Sequence, residues 1–360
     1  MVDVDPEERP LFSAVSSSAR QLYLLLRCIS FAEKAQVQIS EEGLRFSVEE
    51  SSVMEGLAFL DKSLFTSYQY NSPPQPLHSP SSQNSVTSDN CISEPPTFQI
   101  SLPSLLETLQ IFGLTDPNSS RPLWSRDAPS TAFSTQLLGM NNLCRLSYAG
   151  PGSLLSVILT ESTTTTTCAL TTYEPAFTTD IPFTRHELAL KIIMRASWLH
   201  DAISELASTS PSRLTLLART QCGRPFFALS ASGPLGSARV EFNTAASTTA
   251  SADSGPGSAA DASSLLETFQ LADPGARVCN TYKFALVQKA ARAMAVATKV
   301  SVRGDAQGVM SLQFMIEIEP GKVSFVDFRF VPYVAEEGDE EGVEDESGGD
   351  DEGEEDDDEV

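Results

Sequence analysis

The sequence is poor in the residues on which hydrolytic chemistry is usually built. Three histidines serve 360 residues. His78 lies in a Ser/Pro-rich stretch, His186 at the end of a proline-containing connector, and His200 in a helical pattern next to Asp201. Adjacent helical residues point about 100° apart, so His200 and Asp201 are not expected to form a dyad. No G-x-S-x-G, HExxH or P-loop string occurs. The six cysteines (Cys28, Cys91, Cys144, Cys168, Cys222, Cys279) include no CxxC pair. That argues against a zinc site or a disulfide frame and suits a reducing compartment. No run approaches the roughly 20 apolar residues of a membrane span, and the opening MVDVDPEERP is acidic rather than signal-like.

Cations are missing from one region altogether. Residues 336–360 carry 17 Asp and Glu and no Lys or Arg, so the formal charge of −24 falls to −7 for the rest of the chain. By composition this tail is an unstructured polyanion. Two-metal nuclease chemistry needs several converging carboxylates, and the candidates are incomplete. Asp3, Asp5 and Glu7 sit together in the N-terminal segment, and Glu317 and Glu319 alternate on a strand beside a Pro320-Gly321 turn. No further acid is spaced to complete either group.

What is present is a scaffold, written twice. Hydrophobic residues make up 41% of the chain and aromatics 8%, enough for two domains of ordinary size. In the first half, Leu11–Ser16 predicts a strand and Ala19–Ser30 a helix capped by Ser17 or Ser18. Leu22, Leu25, Leu26 and Ile29 form its core stripe, with Arg20, Leu24 and Arg27 on the other side. Strands follow at 35–40, 44–48, 54–60 and 66–70, then a Ser/Pro-rich insertion at 71–96. A strand at 98–102 leads to a helix at 103–112 with Glu107 and Gln110 outward, and to strands at 134–139, 143–148, 154–160 and 167–172. After a proline-containing connector at 173–184 the order repeats. A strand at 187–194 precedes a helix at 197–206, whose core face is Leu199, Ala202, Ile203 and Leu206. Strands follow at 213–218, 225–230 and 238–243, then an Ala/Ser/Thr/Gly-rich insertion at 243–263 and a strand at 266–271. The stretch 278–333 reads as one helix, with Leu286, Val287, Ala290 and Met294 inward, followed by strands at 297–303, 309–318 and 323–331.

This duplicated strand–helix–strands–helix–strands pattern resembles the PCNA-like sliding clamps, and three strings carry the resemblance. LSASGPLGSARVE (229–241) is similar to the clamp stretch in which a Ser-Gly-x-x-Gly turn joins two strands of the second domain. FSAVSSSARQLYLLLRCISFAEKAQVQISEEGLRF (12–46) resembles the first strand, helix and hairpin. YKFALVQKAARAMAVATKVSVRGDAQGVMSLQFMIEIEPGKVSFVDFRFVPY (282–333) looks like the C-terminal unit of the heterotrimeric nine-one-one DNA-damage checkpoint clamp, its smallest-numbered subunit above all.

The resemblance implies an α+β fold of two tandem PCNA-like domains, with helices on an inner face and antiparallel sheets outside. The expected division is an N-terminal clamp domain over 1–172, a linker over 173–184, a C-terminal clamp domain over 185–335, and the acidic tail. It implies a ring made with two other clamp-like subunits, opened by an ATP-dependent loader, around double-stranded DNA, in the nucleus, although no basic import string is present. Such a ring recruits repair and checkpoint proteins, needs no cofactor and catalyses nothing; an exonuclease or a clamp-fold interaction module that does not encircle DNA are the alternatives. Carried over by position, Arg20, Arg27, Lys289 and Arg292 face DNA. Phe177, Ile181, Phe183, Val331, Pro332 and Tyr333 match the apolar pocket in which clamps dock partner peptides. The second and third helices depart from the pattern, offering Glu107, His200, Asp201 and Glu205 where a homotrimeric clamp carries arginines. The tail would then compete with DNA for basic surfaces or dock a basic partner.

Overall fold

A computed structural model describes residues 10–71, 95–111, 143–161, 164–176, 180–221, 223–242, 265–319 and 321–334. Most of both insertions, the strand expected at 134–139, the acidic tail and Phe177 lie outside the described residues.

The first half runs β1 (Phe12–Ser16), α1 (Ala19–Cys28), β2 (Lys34–Ile39), β3 (Gly43–Glu50), β4 (Met54–Asp61), a 3-10 turn (Lys62–Leu64), β5 (Ser67–Tyr70), β6 (Thr97–Ser101), α2 (Leu102–Leu109), β7 (Leu143–Tyr148), β8 (Leu155–Glu161), β9 (Thr164–Leu170) and β10 (Thr172–Tyr173). The second runs β11 (Leu188–Arg195), α3 (Ala196–Ala207), β12 (Arg213–Gln221), β13 (Arg224–Gly233), β14 (Gly236–Glu241), β15 (Leu266–Leu271), β16 (Val278–Lys283), α4 (Phe284–Lys289), α5 (Ala291–Val296), β17 (Lys299–Asp305), β18 (Met310–Glu319) and β19 (Lys322–Phe330). Apart from β10 and the 3-10 turn, the elements of the described residues correspond in order between the halves, with α4 and α5 together standing where α2 stands. Residues 72–94 join β5 to β6, whereas 243–264 join β14 to β15. The two inserted connections are therefore one strand out of step between the halves.

The helices form where apolar residues recur at helical spacing. Leu22, Leu25, Leu26 and Ile29 of the α1 stripe are all buried, and Leu24 is half-buried against the same core. Neither serine caps α1 with its side chain; Ser16 Oγ instead accepts from Ser18 N at 3.2 Å. α2 is capped by Ser101, with a proline in its first turn. The single helix expected after residue 278 is a strand, β16, and two short helices divided at Ala290.

Three sheets enclose one continuous core. Their strand orders are β5-β1-β7-β8-β9, β14-β13-β12-β16, and a ten-stranded β10-β6-β2-β3-β4-β19-β18-β17-β11-β15. The last crosses between the halves where β4 pairs antiparallel with β19, placing Gly56 opposite Phe328 and Glu55 opposite Arg329. At Gly56 a Cβ would come within 2.7 Å of the Phe31 ring and 3.2 Å of the Phe328 ring, so a larger residue there must displace a ring at the seam. On one side of this seam the helices stand in a row, with α1 touching α2 and α5, and α5 touching α3.

Candidate nucleic-acid interface

The row of helices brings cations from both halves together. Arg20 and Arg27 stand on the exposed side of α1, seven residues and so about 10 Å apart along its axis. Arg292 on α5 is also exposed and reaches across the seam, donating from Nη1 to Ser30 O at 2.9 Å and Ser30 Oγ at 2.6 Å, just past the end of α1. Buried Cys28 lies beneath: burial pushes its thiol up to about 12, while the Arg27 and Arg292 guanidiniums pull it down. Lys289 is placed differently. It is half-buried, paired with Glu50 of β3, and lies 6.0 Å from the Phe31 ring centroid. Its charge is therefore partly spent on a carboxylate inside the chain, which sets it apart from Arg292, whose bonds go to neutral Ser30.

The flanks of this ridge are acidic or neutral. Glu107 and Gln110 are exposed on α2, and Asp201, Ser204 and Glu205 on α3. His200 Nδ1 lies 3.5 Å from Asp201 Oδ1, closer than helical spacing suggests. The pair is partly exposed, and the Ser204 hydroxyl is committed to His200 O at 2.8 Å. It has the contact of a surface ion pair and no nucleophile to activate.

On the other face of the ten-stranded sheet, the connector between β10 and β11 is held by a polar cluster at the seam. Arg329 Nη1 donates to Ile181 O at 2.7 Å, and Ile181 N donates to Glu55 Oε2 at 3.3 Å. Ile181 is itself buried. Arg45 bridges Glu55 at 3.6 Å and Asp180 at 2.6 Å. Burial, then the nearby Asp180 charge, raise the Glu55 carboxyl to about 7, against the pull of Arg329, Arg45 and the Ile181 N–H. Beside it, Asp327 accepts from Ser311 Oγ at 2.6 Å and faces Arg303 at 3.3 Å. The Arg303 guanidinium in turn lies 5.4 Å from the Phe183 ring centroid.

The remaining pocket positions are split. Val331 and Pro332 are half-buried, and Val331 N donates to Val53 O at 2.9 Å. Tyr333 is exposed, with its N bonded to Thr281 O at 2.8 Å and its ring 5.4 Å from Arg213. The apolar surface missed by sequence reasoning lies further along the same face. Phe59 and Phe325 are 39% and 46% exposed, and Met315 sits opposite Phe325. A groove of about 470 Å³ runs there between Phe325, Met315, Ile193 and Lys191. The signal was present: aromatics at positions that alternate with core residues on β4 and β19 have no core to fill.

Of the nuclease candidates, Asp3, Asp5 and Glu7 lie outside the described residues, and the other two are committed to local partners. Glu319 is bound to Lys322 at 2.8 Å and Gln21 at 2.6 Å, and Glu317 accepts from Gly321 N at 3.1 Å. Among the described residues, no three His, Cys, Asp or Glu are placed to hold a metal ion.

Comparison with known proteins bears on this arrangement. Residues 11–316 match the family described as repair protein Rad1/Rec1/Rad17. The chain belongs to that family. The family's DNA damage checkpoint control protein rad1 of Schizosaccharomyces pombe is 28% identical over 332 residues, covering 92% of this chain and 89% of that protein. The human cell cycle checkpoint protein RAD1 is 27% identical over 343 residues, 95% of this chain and 97% of that one. The DNA repair exonuclease REC1 of Mycosarcoma maydis matches more narrowly, at 28% over 193 residues, 48% of this chain and 39% of that protein. Among solved structures, a chain of the PCNA2–PCNA3 complex from Sulfolobus tokodaii superposes with a TM-score of 0.57 at 13% identity, covering 89% of this chain and 98% of that one. Two tandem PCNA-like domains are thus the fold of this family member.

Proposed function

We propose that this chain is one subunit of a heterotrimeric DNA-damage checkpoint clamp: a scaffold that encircles duplex DNA and recruits checkpoint and repair proteins. The observation that carries it is the seam ridge, where Arg27 of one half and Arg292 of the other converge on a helix-lined face of a PCNA-like fold. Contacts of that kind neutralise phosphates without reading bases, which is what a ring that moves along DNA requires. Arg20, Arg27 and Arg292 are its phosphate contacts, with Lys289 a lesser one. The acidic flanks on α2 and α3 make the subunit a weak DNA binder alone, so its ring partners supply much of the basic lining.

Edge strands join the subunits. β9 and β14 are the edges best suited, since β5 has only four residues and the Tyr333 backbone already covers part of β16. The connector at Ile181 and Phe183, with Val331, Pro332, Tyr333 and the apolar groove at Phe325, receives partner peptides. An ATP-dependent loader places the ring, and its site of action is the nucleus. The exonuclease reading rests on the partial REC1 match and lacks a convergent set of carboxylates among the described residues.

Light scattering of the chain, alone and mixed with two other checkpoint-clamp subunits, tests the proposal. A monomer that becomes a 1:1:1 complex is expected. A chain that ignores both subunits overturns it.

A further inference from the structure

The four-stranded sheet has one face in the core and one in solvent, and strand register assigns each side chain to a face. Leu216, Ala218 and Leu229 point inward. The opposite face carries Arg213 and Arg219 from β12, Arg224 and Phe226 from β13, Arg239 and Glu241 from β14, and Lys283 from β16. Five cations thus share a surface with one carboxylate, among the described residues of those strands. The Arg219 and Arg239 guanidiniums lie 5.2 and 5.4 Å from the Phe226 ring centroid, and Arg239 also pairs with Glu241 at 3.0 Å. The Arg219 Nε is buried with no partner. In a chain of formal charge −24, this is a concentrated basic patch, and it lies on a sheet rather than on the helix row.

The chain runs out of the described residues at the border of this patch. Tyr333 is bonded to Thr281 of β16 and stacked near Arg213, which belongs to the basic face. Two residues beyond Val334 begins the segment 336–360, with 17 carboxylates and no cation. Strands lie about 4.8 Å apart, so the face measures about 14 Å from β16 to β14. A segment of that length reaches about 80 Å when extended, and its first five or six residues are enough to cross the face.

We propose that the acidic segment 336–360 docks on the solvent face of the β16-β12-β13-β14 sheet, with its carboxylates on Arg219, Arg224, Arg239 and Lys283. Reach, point of departure and charge all favour this occupant. Pairing along the edge of β14 leaves the face open, so docking is compatible with a ring. Its effect is to cover a basic surface that would otherwise hold phosphates away from the helix row.

Cys279 is exposed on the same face, opposite Leu217, and reports occupancy in the intact chain. Its alkylation by iodoacetamide is followed by peptide mass spectrometry. At low salt the reaction is expected to be about tenfold slower in the native chain than in one whose 336–360 carboxylates are replaced by amides, and about 0.5 M salt removes the difference. Arg224→Gln with Arg239→Gln also removes it, with thermal unfolding unchanged. Equal rates with and without the tail carboxylates overturn the proposal, as does tail protection that survives both arginine substitutions. Protection that appears only on adding a single-stranded oligonucleotide, equally in both chains, assigns the face to nucleic acid and overturns it too.

Discussion

Glu55 gives the sharpest test of how the two halves and the connector are held together. Its carboxylate is 4% exposed, and the charged groups facing it are Arg329 across the seam, Arg45 on the neighbouring strand and Asp180 on the connector. The two arginines do not offset burial and the Asp180 charge, so the carboxyl stands at about 7 against an ordinary value of 4.5. Folding therefore takes up a proton between those values. The contribution of Glu55 to stability is fully present below pH 4.5 and is lost as the pH rises through 7. Linkage converts the difference to about 3 kcal/mol. Glu55→Gln holds the group neutral at every pH and keeps an acceptor for the Ile181 N–H. Urea unfolding at pH 5 and pH 8 is the assay. Wild type is expected to lose about 2 kcal/mol or slightly more relative to Glu55→Gln between those two conditions, since part of the difference is already gone at pH 5. Parallel stability curves for the two proteins would refute the reasoning.

Three further outcomes follow from the geometry. In the assembled ring, Arg27→Gln should weaken DNA binding and reduce the salt slope by about one, with little change in thermal stability; Lys289→Gln should weaken binding less, since Lys289 is already paired with Glu50, and equal DNA effects would show that Lys289 is not withheld. Gly56→Ala forces a Cβ to within 2.7 Å of Phe31 and 3.2 Å of Phe328, and should cost about 1–3 kcal/mol in urea unfolding, so unchanged stability would contradict the tight seam. The purified chain with Mg²⁺ or Mn²⁺ should leave a 3′-labelled duplex intact; degradation abolished by Glu317→Gln with Glu319→Gln would overturn the scaffold reading.

Much of the fold was legible because it rests on local pattern. The α1 stripe, the α3 core face and the hairpin β2–β3 announce themselves through apolar spacing of 3.6 or 2. β16 was hidden because VCNTYK has no such alternation: it is a strand by virtue of pairing with β12, which no local window contains. The Thr-rich β9 was read three residues late for the same reason. The break at Ala290 lay in a run of good helix formers, so composition gave no warning of it. Among the candidate site residues, exposure of Arg20, Arg27 and Arg292 could be read from helix faces. The engagement of Lys289 could not, because Glu50 lies 239 residues away in the chain. Arg45 and Glu55 of one hairpin join Asp180 and Arg329 in a cluster from three distant segments, and the basic sheet face becomes visible only when register aligns β12, β13 and β14.

The β4–β19 seam also has a mechanical meaning. Hydrogen-bonded pairing runs from strand to strand through all ten, so the chain is a continuous beam rather than two blocks on a flexible tether. Bending it at the middle would shear the Gly56–Phe328 contact, the Arg329–Glu55 bridge and the Arg292–Ser30 strut together. A ring built from such beams is stiff within each member, and its compliance is concentrated at the joints between members. In the proposed ring, opening then parts one joint, and a force applied at one end of this subunit passes to the other with little loss.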